Sequence, residues 1–424
     1  MLRLFHTADW HLGHHLHGVS RQLEHQQFLD WLLLELQSKQ ADALLVAGDI
    51  FDSANPSSAA QSQLYDFLVK AKAQQPNLDI VLIGGNHDSA SRLDAPSPIL
   101  NALGVTVVGG LSRDDQGGID WERLLVPLTN ATGQIKAWCG AMPFLRNADL
   151  PTTVSSTMEP MQSAEQDSDP LISGMKTLYA ELFEKLQQKA GNDDSLILTG
   201  HCYMVNGAVS ELSERKILGG NQHALPVELF PADIAYVALG HLHLAQKVGT
   251  HQHIRYSGSP IPLSFDETDY AHQVVQVDVR SGRPVETVTV KIPRSVQLLR
   301  IPNGKDFAVL PAVIEHLENL TLDDLPIEQR PLLELRIRLE KPEPGLRQQI
   351  EETIAKLPVR LLKISTAYSG SEKSLADMKI EERLEELQPL DVFQRCYQNK
   401  YDRETPEIMN ALFNELVENL QGRE

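Results

Sequence analysis

Five short clusters of polar residues carry the groups that divalent metal ions and phosphate esters require: Asp9-Trp10-His11, Gly48-Asp49, Gly85-Asn86-His87-Asp88, Gly200-His201 and Gly240-His241-Leu242-His243. Carboxylate oxygens and imidazole nitrogens bind such cations, and two cations acting on one phosphate need an anionic bridge and open positions for water. A single histidine at a strand end is usually a satisfied structural side chain. Five clusters in series, each following an apolar run, form a ligand set for a two-metal centre acting on phosphate.

The apolar runs read as the strands that aim these clusters. Leu2 to Phe5 precedes Asp9 and His11, Ala43 to Val46 precedes Asp49, and Ile80 to Ile83 precedes Asn86, His87 and Asp88. Helix-spaced apolar positions at Gln26 to Leu36 and Gln61 to Lys72 separate them, so the opening reads as β-α-β-α-β with a parallel sheet. Leu196 to Leu198 and Ala235 to Leu239 lead to the last two clusters. Ligands of open α/β sheets gather beyond the carboxyl ends of strands, where all five clusters fall. From Ile254 to Val290 the pattern alternates, as in Val274 to Val279 and Val285 to Val290, predicting antiparallel strands that complete a second sheet.

The expected fold is therefore α/β: a two-sheet core flanked by helices over residues 1–290, a small α/β capping domain over 291–372 and a helical tail over 373–424. The capping domain rests on Leu332 to Leu339, Leu346 to Leu357 and Val359 to Ile364, read as strand, helix and strand. Residues 151 to 170 have no periodicity and read as a surface loop.

Composition narrows the setting. With 42% hydrophobic and 22% charged residues the chain is ordinary for a folded protein. Cys139, Cys202 and Cys396 fit no metal or redox spacing, which suits a reducing cytoplasm. Met1 to His6 lacks the long apolar region of an export signal, and no apolar run approaches a membrane span, so no membrane partner is expected. The formal charge of -19 argues against a protein that grips nucleic acid with a basic surface. Two divalent cations would outweigh Asp9 and Asp49 locally and attract a phosphodiester all the same.

ADWHLG (Ala8 to Gly13), VAGDIFD (Val46 to Asp52), GGNHD (Gly84 to Asp88), ALGHLH (Ala238 to His243) and YSGSPIPLSFDE (Tyr256 to Glu267) resemble the calcineurin-like metallophosphoesterase superfamily and, within it, the SbcD family of bacterial nuclease subunits. The likeness is strong over residues 1 to 270 and rests mostly on element order beyond. It implies a metal-dependent nuclease that hydrolyses DNA phosphodiester bonds, as a double-strand exonuclease and a single-strand or hairpin endonuclease, in DNA repair, replication and recombination. One metal would be held by Asp9, His11 and His243, with Asp49 bridging to a second held by Asn86, His201 and His241. Manganese is the metal the family favours. His87 would act at the leaving-group side as proton donor or charge stabiliser. The implied partners are DNA, an SbcC-like coiled-coil ATPase and a second nuclease subunit in a homodimer.

A phosphoesterase for small substrates is the main alternative, opposed by the long region after residue 290 and by the GSPIPLSF segment. A non-catalytic scaffold is opposed by the intact ligand set. Asp52 and Asp88 follow the ligands and could orient them or serve as ordinary turn residues. His14, His15 and His17 read as solvated loop residues, His251 and His253 as surface positions on a hairpin, and Cys202 as a small buried hydrophobe. Ile408, Met409, Leu412, Phe413, Leu416, Val417 and Leu420 make an apolar stripe in a tail, Ser374 to Glu424, with 6 basic and 12 acidic residues, which suits a protein groove better than DNA.

Overall fold

The computed structural model describes residues 1–151, 170–205, 224–281 and 283–368, with a few positions between 390 and 413. The loop reading of residues 151 to 170 and most of the tail stripe lie outside the described residues.

Leu2–Thr7, Ala43–Ala47, Asp79–Ile83 and Val105–Val108 run parallel and side by side. Their apolar character follows from cover on both faces. In Ala43–Ala47, residues Ala43, Leu45 and Ala47 join the core shared with the second sheet, while Leu44 and Val46 join the core beneath helices Gln22–Ser38 and Ser58–Gln74. The first helix buries Phe28, Leu29, Leu32, Leu33 and Leu36, positions three and four apart on one face. The second starts at Ser57, whose side chain accepts the Ala60 N–H at 3.2 Å and satisfies one of the free amides of the first turn.

The second large sheet has the order Gln246–Val248, His251–Tyr256, Tyr236–Gly240, Ser195–His201, Ile135–Gly140, Leu125–Thr129. Its four central strands are parallel and helix Pro170–Lys189 covers it, burying Met175, Leu178, Tyr179, Leu182 and Leu186. Ala43–Ala47 packs against Ser195–His201 and Tyr236–Gly240, so the sheets face each other and their strand ends meet. Buried His6 ties them: Nδ1 lies 3.0 Å from the Tyr236 hydroxyl and Nε2 3.1 Å from the Leu239 carbonyl oxygen.

One expectation is corrected. Gln273–Val279 and Glu286–Lys291 are antiparallel, but they extend the first sheet, with Leu4 opposite Val277, instead of completing the second. Leu2–Thr7 spends only one edge on Ala43–Ala47, and the returning hairpin takes the other. Alternation tells which residues share a face and is silent on which edge they join. Among the described residues of that stretch, those from Ile254 to Tyr256, the end of the strand His251–Tyr256, enter the second sheet, and they pair in parallel with Tyr236–Gly240.

A third, smaller sheet follows. Leu332–Leu339 is its centre, paired in parallel with Leu298–Ile301 and Ala308–Val309 and with Arg360–Tyr368. Helices Leu310–Glu318 and Leu346–Ile354 supply Val313, Leu317 and Ile350 to its own apolar core. It reaches the larger unit through the turn Ser264–Glu267. There Phe265 packs with Leu16, Val296, Leu298 and Leu332, and Asp266 pairs with Arg300 at 2.8 Å. Arg300 is also paired with Glu334 at 2.6 Å. Among the described residues no helix is long and apolar enough to cross a membrane.

Candidate metal centre

The clusters sit where the two large sheets end against each other. Asp9 and His11 follow Leu2–Thr7, Asp49 follows Ala43–Ala47, Asn86 and His87 follow Asp79–Ile83, His201 ends Ser195–His201, and His241 and His243 follow Tyr236–Gly240. The first two loops continue the sheet's pairing past its end: Asp9, His11 and Leu12 donate their N–H groups to Gly48, Asp49 and Ile50 at 3.0, 3.0 and 2.9 Å. The second sheet is stitched on by His241 N–H to Asp9 Oδ1, 2.9 Å.

The approach is too close for side chains. A Cβ on Gly240 would stand 1.8 Å from the Ala47 carbonyl oxygen, and one on Gly85 would stand 2.2 Å from Asp49 Oδ1. The backbone is bent to suit. Asp9, His11, Asp49 and His241 have φ of 55°, 47°, 48° and 103°, in the left-handed region that residues with a Cβ rarely enter. Such conformations persist only where the surrounding structure enforces them, and they gather at functional sites.

All eight candidate residues come together. Ligand atoms of Asp9, His11 and His243 lie within 4.8 Å of one another, as do those of Asp9, Asp49 and His201. Asn86 Oδ1 is 2.9 Å from His201 Nε2 and 3.1 Å from His241 Nδ1. Between the groups, Asp49 Oδ2 is 3.6 Å from His11 Nε2 and 3.3 Å from His201 Nε2. Its other oxygen is occupied, accepting the His87 N–H at 2.8 Å.

The buried groups of the pocket shift one another strongly. Burial, with help from Asp49, pushes the Asp9 carboxyl up to about 7 against the pull of His201 and His243. Burial would raise Asp49 too, but the imidazoles of His201, His87 and His11 hold it well below the usual carboxylate range. His201 is pushed down by burial and more than restored by Asp49 and Asp9, to about 9, whereas burial and the His201 charge take His241 down to about 3. Asp9 Oδ2 and His11 Nε2 are buried without a hydrogen bond. Orphaned groups of this kind need an explanation, and a set of carboxylates and imidazoles converging on common points fits divalent cations.

Neighbours fix how the ligands face. His201 Nδ1 donates to the Ala47 carbonyl at 2.9 Å, which leaves Nε2 to face Asn86 and Asp49. Asp52 Oδ1 lies 3.3 Å from His11 Nδ1 and 3.0 Å from His14 Nδ1. These imidazoles hold its carboxyl far below the usual range although burial opposes them. Asp88 takes a different part: it accepts N–H groups from Ile50, Phe51 and Gly85 at 2.9 to 3.0 Å and so clamps the Asp49 and Asn86 loops together. His87 Nδ1 donates to the Asp52 carbonyl at 2.8 Å. Its ring meets that of His11 edge-on at 4.7 Å, and it groups with His11 and Asp52 as a further potential ligand cluster.

Two contributors escape sequence reasoning. His14 is no solvated loop residue, since its Nε2 lies 3.0 Å from the Leu263 carbonyl and its Nδ1 faces Asp52. Glu267, fully buried, lies 2.8 Å from His243 Nδ1. Its only sequence signal was a second acid at the end of the SFDE run. His15 and His17 are exposed, and His251 and His253 lie half-buried on the strand His251–Tyr256. Cys202 is half-buried, and burial pushes its thiol up to about 12.

Residues 2–245 match the family described as calcineurin-like phosphoesterase, and residues 294–401 match the type 5 capsule protein repressor C-terminal domain. Two curated relatives are named as the D subunit of the nuclease SbcCD. The one from Rhodobacter capsulatus is 41% identical over 360 residues, covering 85% of this chain and 86% of that protein. The one from Escherichia coli K12 is 31% identical over 427 residues, covering 99% of each. A third of the same name, from Bacillus subtilis, is 35% identical over 66% of this chain and 67% of its own.

Proposed function

The chain belongs to the calcineurin-like phosphoesterases, among the SbcD subunits of SbcCD nucleases, and from this we propose that it is the metal-dependent nuclease component of an SbcCD-type complex, hydrolysing DNA phosphodiester bonds in repair, replication and recombination. The observation that carries the two-metal reading is the position of Asp49 Oδ2, within 3.6 Å of His11 Nε2 on one side and 3.3 Å of His201 Nε2 on the other. Asp9, His11 and His243 would hold one ion, Asn86, His201 and His241 the other, and Asp49 would bridge them. Mixed oxygen and imidazole ligation suits manganese. Bound there, the cations would supply the positive charge that draws in the phosphodiester and activates water for in-line attack.

The remaining work falls to side chains. Asp49 divides its carboxylate, one oxygen on the His87 amide and the other toward the metal positions. His87 has Nδ1 committed to the Asp52 carbonyl, so a proton exchanged with the leaving oxygen passes through Nε2. Asp52 orients His87 through its backbone and His11 and His14 through its carboxylate.

Residues 1–290 would form the nuclease domain and 291–372 a capping domain, a division supported by the separate core of the third sheet. Residues 373–424 would dock onto an SbcC-like coiled-coil ATPase, supported by their acidic, apolar-striped sequence. A chain of formal charge -19 leaves duplex binding to the metal pocket and the partner, and the active unit would be a homodimer of nuclease subunits in the cytoplasm. The test is cleavage of linear and hairpin DNA with manganese, with chelator, and with or without the ATPase. Manganese-dependent cleavage that chelator abolishes supports the proposal. Hydrolysis of phosphomonoesters or cyclic nucleotides alone overturns it.

A further inference from the structure

Glu267 is a carboxylate with no exposure to solvent, in the turn Ser264–Glu267 between the nuclease core and the third sheet. Oε2 accepts the Leu263 N–H at 2.8 Å, which is what the local turn asks of it. Oε1 goes elsewhere, 2.8 Å from Nδ1 of His243, 24 residues back in the chain. We infer that Glu267 is the positioning residue of His243, fixing the tautomer and ring angle that present Nε2 to the metal position shared with Asp9 and His11. The inference rests on the proposed ligand role of His243.

An ionised carboxylate only accepts hydrogen bonds, so a neutral imidazole beside it must carry its proton on Nδ1 and keep its lone pair on Nε2. The opposite ring nitrogen is then committed to the side where Asp9 and His11 lie, with the His11 ring 5.2 Å away and edge-on. A carboxylate behind a ligating imidazole also raises its basicity as a ligand. A turn residue alone does not account for the arrangement, because glutamine would satisfy Leu263 equally well, whereas the second oxygen is spent on His243 Nδ1.

The turn is held from its far side as well. Asp266 pairs with Arg300 at 2.8 Å, and Phe265 is buried with Leu298 and Leu332 of the third sheet. Glu267 is therefore held from the side of the C-terminal sheet as well as from its own turn.

The decisive experiment is a manganese titration of the full chain, followed by calorimetry and electron paramagnetic resonance, for wild type, Glu267→Gln and His243→Ala. Glutamine keeps the size but offers one acceptor to two donors, so one of the two ions should bind about 10- to 100-fold more weakly. The signal of a coupled pair should give way to that of a single ion, while the metal-free variant melts close to wild type. Wild-type affinity for both ions in Glu267→Gln, with one ion lost in His243→Ala, overturns the inference and leaves the ligand assignment standing. Two ions retained in His243→Ala would instead overturn the ligand assignment and the inference with it. A ¹⁵N spectrum of His243 in the metal-free wild type decides independently of any variant's folding: a proton on Nδ1 supports the role, and one on Nε2 refutes it.

Discussion

At the mouth of the two large sheets, Asp9, His11, Asp49 and His201 are buried among one another, with Asp9 Oδ2 and His11 Nε2 lacking a hydrogen bond. In the C-terminal sheet the buried charges Arg300 and Glu334 answer each other at 2.6 Å, and Ser365 and Lys363 add to the glutamate side. The backbone divides in the same way. Within residues 298–368 positive φ falls on Gly304 and Gly345, whereas at the mouth it falls on Asp9, His11, Asp49 and His241. One region obeys the ordinary rules of burial and conformation from within. The other breaks both, and its breaches coincide at the residues that carry chemistry, which is how a working site differs from a scaffold.

The hardest blow to this contrast would come from Asp49. Asp49→Ala should take DNA cleavage below detection and abolish the metal pair, with the fold intact because the strands behind it supply the core. Near-normal cleavage would remove the two-metal reading. Next is His87→Gln, expected to keep both metals by elemental analysis and to lower the cleavage rate about 10²- to 10⁴-fold. A fall in bound metal would make His87 a ligand, in line with its grouping with His11 and Asp52.

On the scaffold side, Arg300→Met should leave the Glu334 carboxylate buried and underpaired. Breaking such pairs costs about 3–5 kcal/mol, and Lys363 at 3.8 Å should hold the loss to the lower end. Thermal melting should fall, and because Arg300 also pairs with Asp266 beside Glu267, one metal should bind more weakly while two still bind at saturation; unchanged melting would remove the contrast. The smallest effect is expected from Ile327→Ser at a 60% exposed position, a change within about 0.5 kcal/mol with cleavage untouched.

The sequence showed what depends on neighbours in the chain. The runs before Asp9, Asp49 and Asn86 announced strands because a stretch covered on both faces is apolar throughout, and the clusters beyond them announced a site because polar residues there have little else to do. It did not show what depends on distant partners. Nothing in Val274 to Val279 marks the edge it joins, since that is decided by the side of Leu2–Thr7 left vacant. Glu267 looks like one surface acid among many until the fold brings it to His243. His14 acquired its role only when Leu263, 249 residues later, came to face it.

The four left-handed residues at the mouth have a consequence for how the protein is supplied with its ions. Each such conformation costs on the order of 1–3 kcal/mol, and what imposes it is the pairing of the Asp9 and Asp49 loops and the close approach of the two sheets. The loops of the pocket are thus tied by the polypeptide's own hydrogen bonds, as a mould is held by its frame. Stripping with chelator should leave the melting profile cooperative, and re-addition should restore activity without a lag for rearrangement. A cell starved of the metal would accumulate finished but idle protein, ready to start the moment ions return.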